Sequence, residues 1–258
     1  MNMIPIERQQ QLLGLIRREP GLAVNQMAER LHVSPGTIRN DLRALAGTGR
    51  VVRVRGGGTV LPELPIFQSP DFSVRASQNE AAKRAISRKA AELVQDGDSI
   101  LLDASSTAFH LATVLQNRQG LRVVTNGIEA ARLLSQNPTH MVLLVGGTLR
   151  AGAQSVTGPW SLRYLEEICT RFAFVSCSGF TLEGGMTDVD VYEAEFRVKA
   201  ISAAKQAIAL IDSSKYGKVD LIPSLRLDQI AAVYTNSGLA PEWICRLEQS
   251  CIPFTLCE

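Results

Sequence analysis

The stretch Val33-Ser34-Pro35-Gly36-Thr37-Ile38-Arg39-Asn40-Asp41-Leu42-Arg43 constrains this chain more than any other. Ser34 can cap a helix with its hydroxyl, and Pro35 suits the first helical position, where a missing N–H costs nothing. Ile38, Leu42 and Leu45 then recur at i, i+4 and i+7 and form one apolar stripe. Ser34, Thr37, Arg39, Asn40 and Arg43 fall off that stripe, and their side chains can reach phosphates and base edges. Upstream, Val24, Met27, Ala28 and Leu31 make a shorter stripe, with Asn25 as its candidate cap. Two short helices separated by His32-Val33 have the spacing of a helix-turn-helix, whose second helix enters the major groove.

The sequel strengthens that reading. In Arg50-Val51-Val52-Arg53-Val54-Arg55-Gly56-Gly57-Gly58 the valines suit a strand, the arginines supply charge and the glycines a turn. A basic β-ribbon directly after a recognition-type helix is the wing of a winged helix, with Arg53 and Arg55 as backbone contacts. Charge partition agrees. Residues 1–60 hold nine Arg, no Lys and four acids, a net +5, which leaves 18 basic and 21 acidic groups, or −3, for the remainder. Attraction for double-stranded DNA is thus expected in the N-terminal quarter alone.

The winged helix is expected over 1–58. An amphipathic helix from Ile6 to about Arg18 packs behind it, stopped by Pro20-Gly21. Residues 59–79, with Pro62, Pro65 and Pro70, show no sustained period and read as a linker. From 80 to 258 short apolar runs alternate with helical ones. Strands are expected at 99–103, 121–125, 140–145, 172–177, 206–211 and 230–235, and helices at 107–116, 128–136, 159–168, 192–204 and 241–250. Ahead of them, Ile86, Ala90, Leu93 and Val94 mark the face of a further helix. Strands that are apolar throughout, joined by helices, imply an α/β domain with a buried, mainly parallel sheet. The five cysteines form no CxxC pair and the three histidines lack ligand spacing, so neither a disulfide framework nor a metal is expected. No stretch approaches a membrane span or a signal peptide, and a cytoplasmic protein is expected.

Ligands of parallel α/β sheets bind beyond the carboxyl ends of the strands. The first expected strand ends Asp103-Ala104-Ser105-Ser106-Thr107 and runs into a helix, whose free N–H groups suit a phosphate. Others end Thr125-Asn126-Gly127, Gly146-Gly147-Thr148 and Asp212-Ser213-Ser214-Lys215. Lys215 either supplies a full positive charge to that phosphate or pairs with Asp212 to steady its turn.

Along nearly its full length the chain resembles the DeoR family of bacterial transcription regulators. The matching residues are Val33-Ser34, Thr37-Ile38-Arg39, Asp41-Leu42, Arg53 and Gly56-Gly57. They continue as Asp103, Ser106-Thr107, Thr125-Asn126, Gly146-Gly147, Gly158, Glu193-Ala194-Glu195 and Asp212-Ser213-Ser214-Lys215-Tyr216-Gly217. The resemblance implies a C-terminal domain folded like ribose-5-phosphate isomerase, which senses a phosphorylated sugar or related metabolite and forms a homo-oligomer, dimer or tetramer. It implies a regulator, more often a repressor, of a carbohydrate operon, with Glu195 added to the effector residues and no cofactor. The chain departs from the family's usual residues at Asn40 (Arg), Ser105 (Gly), Ser176 (Gly), Ser178 (Asp) and Arg197 (Lys). The run from Asp103 to Thr107, with Ser176-Cys177, also resembles the fucose-operon activator subgroup. The alternative is a sugar-phosphate isomerase or deaminase carrying a DNA-binding module. Such chemistry needs a carboxylate base, for which Glu195 and Asp212 are the candidates.

Overall fold

The computed structural model describes residues 5–19, 22–47, 51–54, 57–60 and 70–258, and the chain divides into two units, Met1–Ile66 and Phe67–Glu258. In the first unit three helices, α1 (Pro5–Arg18), α2 (Val24–Arg30) and α3 (Pro35–Gly47), precede a hairpin of β1 (Val51–Val54) and β2 (Gly57–Val60). Leu12 and Ile16 from α1, Met27 from α2, and Ile38 and Leu42 from α3 meet in one core, with Val51 closing it. Burying five such side chains contributes about 1.5–3 kcal/mol each, enough to hold a unit of this size. Ser34 Oγ accepts the Thr37 N–H at 3.1 Å, the capping bond that sets the start of α3.

The hairpin is antiparallel, with Val51 opposite Val60 and Val54 opposite Gly57. Gly57 and Gly58 are therefore strand residues rather than turn residues, and the unit runs past the expected boundary at 58. Pro20-Gly21, Arg50, Arg55, Gly56, Pro62 and Pro65 lie outside the described residues, as do the side chains of Arg17, Arg18 and Arg53.

The second unit opens with α4 (Phe72–Ser77) and α5 (Glu80–Ala90). α4 falls inside the stretch read as linker. It buries none of its own residues, so it has no apolar stripe to betray it. Then follow β3 (Ser99–Leu102), α6 (Ser106–Leu115), β4 (Arg122–Thr125), α7 (Ile128–Leu134), β5 (Met141–Leu144), β6 (Thr148–Arg150), β7 (Ser155–Thr157), α8 (Pro159–Tyr164), β8 (Thr170–Val175), β9 (Gly179–Thr181) and β10 (Gly185–Asp188). The chain ends with α9 (Val191–Ser202), β11 (Ala204–Leu210), β12 (Ile222–Leu225), β13 (Ala232–Asn236), α10 (Pro241–Gln249) and β14 (Phe254–Cys257).

Seven strands pair in the order β14-β13-β11-β8-β3-β4-β5, every pair parallel. Ile100, Leu102, Phe172, Phe174, Ile208 and Leu210 face one helical layer, while Leu101, Ala173 and Phe196 belong to a core on the other side. Burial on both faces is why the central strands read as continuous apolar runs. A separate antiparallel sheet, β12-β10-β9, supplies a wall beside the carboxyl end of β8.

Candidate functional site

Two regions hold the residues singled out in the sequence. In the first unit Arg39, Asn40 and Arg43 are exposed on α3, and Arg43 Nη1 donates to Asn40 Oδ1 at 3.1 Å. Thr37 is half-buried, and its hydroxyl lies 2.9 Å from Ser34 Oγ. Asp41 turns the other way. It is 4% exposed and receives Arg8 and Gln9 from α1, so it neutralises no charge on the exposed face of α3. That leaves a polar helix face, with Arg39 in no ion pair among the described residues. Arg53 sits in β1, opposite Gly58.

In the second unit a cavity of about 440 Å³ opens at the carboxyl ends of β3, β8 and β11, which are neighbours in the sheet. Ser105, Ser106 and Thr107 form one wall, Ser176, Cys177 and Ser178 a second, and Ser214 and Lys215 a third. Asp103 organises them from below. Its Oδ1 accepts the Ser105 N–H at 3.1 Å, and its Oδ2 accepts the Ser176 N–H at 3.0 Å and Arg197 Nε at 3.1 Å. Ser105 caps α6 by accepting the Ala108 N–H. Its own N–H, expected to reach a phosphate, is thus already engaged by Asp103. The N–H groups of Ser106 and Thr107, in the first turn of α6, make no hydrogen bond among the described residues and remain for a ligand.

Lys215 lines the cavity and forms no side-chain ion pair with Asp212 among the described residues, while its N–H donates to Asp212 O at 3.0 Å. Asp212 is held otherwise: its Oδ1 accepts the Ser214 N–H at 3.1 Å and Asn79 Nδ2 at 3.2 Å.

Several expected residues stand elsewhere. Thr125 and Asn126 are fully buried behind the cavity, where Thr125 Oγ1 accepts the Gly127 N–H and Asn126 Nδ2 reaches Glu193 at 3.4 Å. Gly146 and Gly147 do not line it. Gly147 has φ +152°, and a Cβ there would stand 2.5 Å from Ser161 Oγ and 2.6 Å from Thr157 O. It is a glycine because the backbone of β7 passes against it. Glu195 is exposed, whereas Glu193 and Arg197, one turn apart on α9, face inward. The two-residue offset rotates Glu195 to the opposite side of the helix. Glu193 Oε1 accepts Ser155 Oγ at 2.6 Å, and burial pushes its carboxyl above the usual range.

The sequence reading missed Arg75, Asn79, Lys83, Lys218 and Asp220, which all line the cavity. Arg75 and Asn79 fell in the supposed linker. Lys83 carried a signal: it sits three residues before Ile86, on the apolar stripe of its helix. A lysine on a core stripe is there for a reason other than solubility. Among the described residues no group of three or more His, Cys, Asp or Glu is placed to hold a metal. No described helix is long and apolar enough to cross a membrane.

Comparison with known proteins completes the description. Residues 8–63 match the DeoR-like helix-turn-helix domain, and residues 78–237 match the DeoR C terminal sensor domain. The HTH-type transcriptional regulator GolR of Listeria innocua is 32% identical over 256 residues, covering 99% of this chain and 100% of that protein. The glycerol-3-phosphate regulon repressor of Escherichia coli is 27% identical over 231 residues, 90% of each. Among solved structures, ribose 5-phosphate isomerase A from Methanocaldococcus jannaschii is 20% identical, covering 54% of this chain and 55% of that one with a TM-score of 0.40.

Proposed function

The chain belongs to the DeoR family of transcription regulators, and we propose that it represses a carbohydrate operon until a phosphorylated sugar fills its cavity. The N-terminal unit binds DNA. Arg39 and Asn40 face base edges, Ser34, Thr37 and Arg43 steady the helix on the backbone, and Arg53 and Arg55 of the hairpin contact phosphates.

The observation that carries the effector half is the charge in the cavity. Arg75, Lys83, Lys215 and Lys218 line it together, beside two unspent N–H groups at the start of α6. Arg197 is matched by Asp103 and Asp188. Against the four remaining cations stand Asp220 and Glu193, and the second of these is already bonded to Ser155 and Asn126. An excess of cations with free amides suits a dianionic phosphate, and the serine hydroxyls suit a polyol. The relative named for a glycerol-3-phosphate regulon agrees in chemical class.

The isomerase alternative needs a free carboxylate base over the cavity. Asp103 and Asp188 are both spent on Arg197, Asp212 is 1% exposed and tied to its own turn, and Glu193 is bonded to Ser155 and Asn126, which leaves Asp220 as the carboxylate lining the cavity for such a base. Regulation without catalysis is supported instead by the relatives, which are named as regulators.

A homo-oligomer belongs to the same reading. Trp160, 72% exposed, and Tyr164 stand one turn apart on α8, an apolar surface of the kind subunits bury. Sedimentation of the full chain measures it.

A thermal-shift series with phosphorylated sugars tests the effector assignment, because a ligand that binds only the folded state raises its stability by mass action. An active compound then has to release the protein from its own promoter DNA in a mobility-shift titration. A series with no stabilising phosphorylated compound overturns the assignment.

A further inference from the structure

Lys83 has an unusual station for a lysine. It is 4% exposed, lines the cavity, and donates to two backbone carbonyls, Arg75 O and Gln78 O, the second at 2.7 Å. Those carbonyls belong to α4 and to the residue just beyond its end. An ammonium has three N–H donors, so one is left over.

α4 itself has little else to hold it. None of its residues is buried, and Phe72 makes an edge-on contact with Phe109. Polar bonds add to that. Arg75 Nη2 donates to Ala153 O at 3.1 Å, His110 Nε2 meets Ala76 O at 3.0 Å, and the Phe72 N–H donates to Gly152 O at 2.9 Å. At the corner between α4 and α5, Asn79 takes a left-handed φ of 52° and donates to Asp212 and to Ser214 Oγ, beside Lys215. The segment from 70 to 79 is thus a strap fastened in part by two groups that line the cavity, Lys83 and Ser214. It is also the first described element after the DNA-binding unit.

We propose that Lys83 is the coupling residue of this cavity: a bound anion takes its third N–H while the other two fix α4. Occupancy of the cavity and order in the strap are therefore linked, and each favours the other. The proposal rests on the phosphorylated-effector reading above and adds the route by which occupancy reaches the first described helix of the second unit.

The protonation of Lys83 reports the coupling. Burial lowers its ammonium to about 8, Asp212 pulls the value up, and Lys215 and Arg75 push it down. His110 of α6 also faces it and is itself held below its ordinary value by burial, so it is neutral in alkaline solution. An anion beside Lys83 favours the charged form, so binding above pH 8 takes up a proton.

The test is calorimetry of the full chain with inorganic phosphate at pH 8.5, in two buffers of different ionisation enthalpy. Hydrogen exchange of residues 70–79 is followed alongside. Comparison with Lys83→Arg, which keeps the charge and cannot titrate there, cancels the proton equilibria of the ligand and of every other residue. The wild type takes up more protons on binding than Lys83→Arg does, because burial leaves the lysine partly neutral at this pH and the arginine fully charged. Phosphate slows exchange in 70–79 in both proteins. Lys83→Met binds at least tenfold more weakly, and phosphate no longer protects its strap. Equal proton uptake in wild type and Lys83→Arg, or phosphate binding that leaves exchange in 70–79 unchanged, overturns the coupling while the cavity remains an anion site. A wild type that binds neither phosphate nor any phosphorylated sugar overturns the effector reading and this proposal with it.

Discussion

Arg197 donates Nε to Asp103 Oδ2 at 3.1 Å, and its Nη1 engages Asp188, so one guanidinium joins the end of β3 to the end of β10. All three side chains are at most 6% exposed. Burial pushes Asp188 above the ordinary carboxylate range, and Arg197 pulls it back. Breaking a buried pair leaves its partner charged and alone, at a cost of about 3–5 kcal/mol. Arg197→Met therefore loses about that much unfolding free energy at neutral pH, measured by urea denaturation. The deficit shrinks in acid, as the stranded carboxylates take up protons. Arg197→Lys keeps a charge but not the forked geometry, so its loss is smaller.

His110 gives the pH dependence a second, separable part. It is 6% exposed, burial holds it below its ordinary value, and its ring meets the carbonyl of Ala76 in α4. The unfolded chain binds a proton at this position near pH 6.5, and the folded chain does so only at lower pH. The stability it contributes is present above about 6.5 and is lost as the pH falls through the depressed folded value. His110→Gln keeps a donor for Ala76 and does not titrate. Thermal melts from pH 7 to 5 then show a shallower loss in the variant than in the wild type.

Salt dependence separates the two roles on the DNA side. Each phosphate contact contributes about one unit to the slope of log affinity against log salt. Arg53→Ala lowers that slope by about one and weakens all sequences alike. Asn40→Ala costs about 1–3 kcal/mol at one operator position and leaves the slope unchanged. Anisotropy titrations at several salt concentrations read both. An unchanged slope for Arg53→Ala contradicts the role given to the hairpin.

What was legible in the sequence was what local chemistry decides. Ser34-Pro35 announces α3 because a cap and a first-turn proline act within four residues. The central strands announce themselves because burial on both faces leaves only apolar residues between turn signals. Less was legible where structure depends on distant partners. β9, β10 and β12 are three or four residues long, and Pro223 interrupts β12, which is tolerable only because β12 is an edge strand. β14, at the sheet's edge, is only four residues long and follows Pro253 directly, too short a run to stand out although Phe254, Leu256 and Cys257 are apolar. α4 is fastened by polar bonds to residues as far along the chain as Ala153, a relation no periodicity encodes. Among site residues, those on the α6 turn were found by the strand-to-helix rule. Glu195 was preferred to Glu193 because a motif gives residues without saying which way a helix turns them.

Gly147 separates packing from binding. With φ +152° and a β7 carbonyl 2.6 Å from where a Cβ would stand, Gly147→Ala forces β6 and β7 apart. Such strain costs about 1–3 kcal/mol. The variant melts several degrees lower yet keeps its effector affinity, since the residue does not line the cavity. Weakened binding with unchanged melting would restore Gly147 to the site.

The most direct measurement is calorimetry of the full chain with one phosphorylated sugar and with its unphosphorylated parent, repeated for Lys215→Ala. A hydrogen bond between charged partners contributes about 1.5–3 kcal/mol, or roughly ten- to a hundredfold in affinity. The phosphorylated sugar therefore binds the wild type at least tenfold more tightly than its parent does. Lys215→Ala loses ten- to a hundredfold for the phosphorylated compound and nothing for the parent. Equal affinity of the wild type for the two compounds contradicts the account.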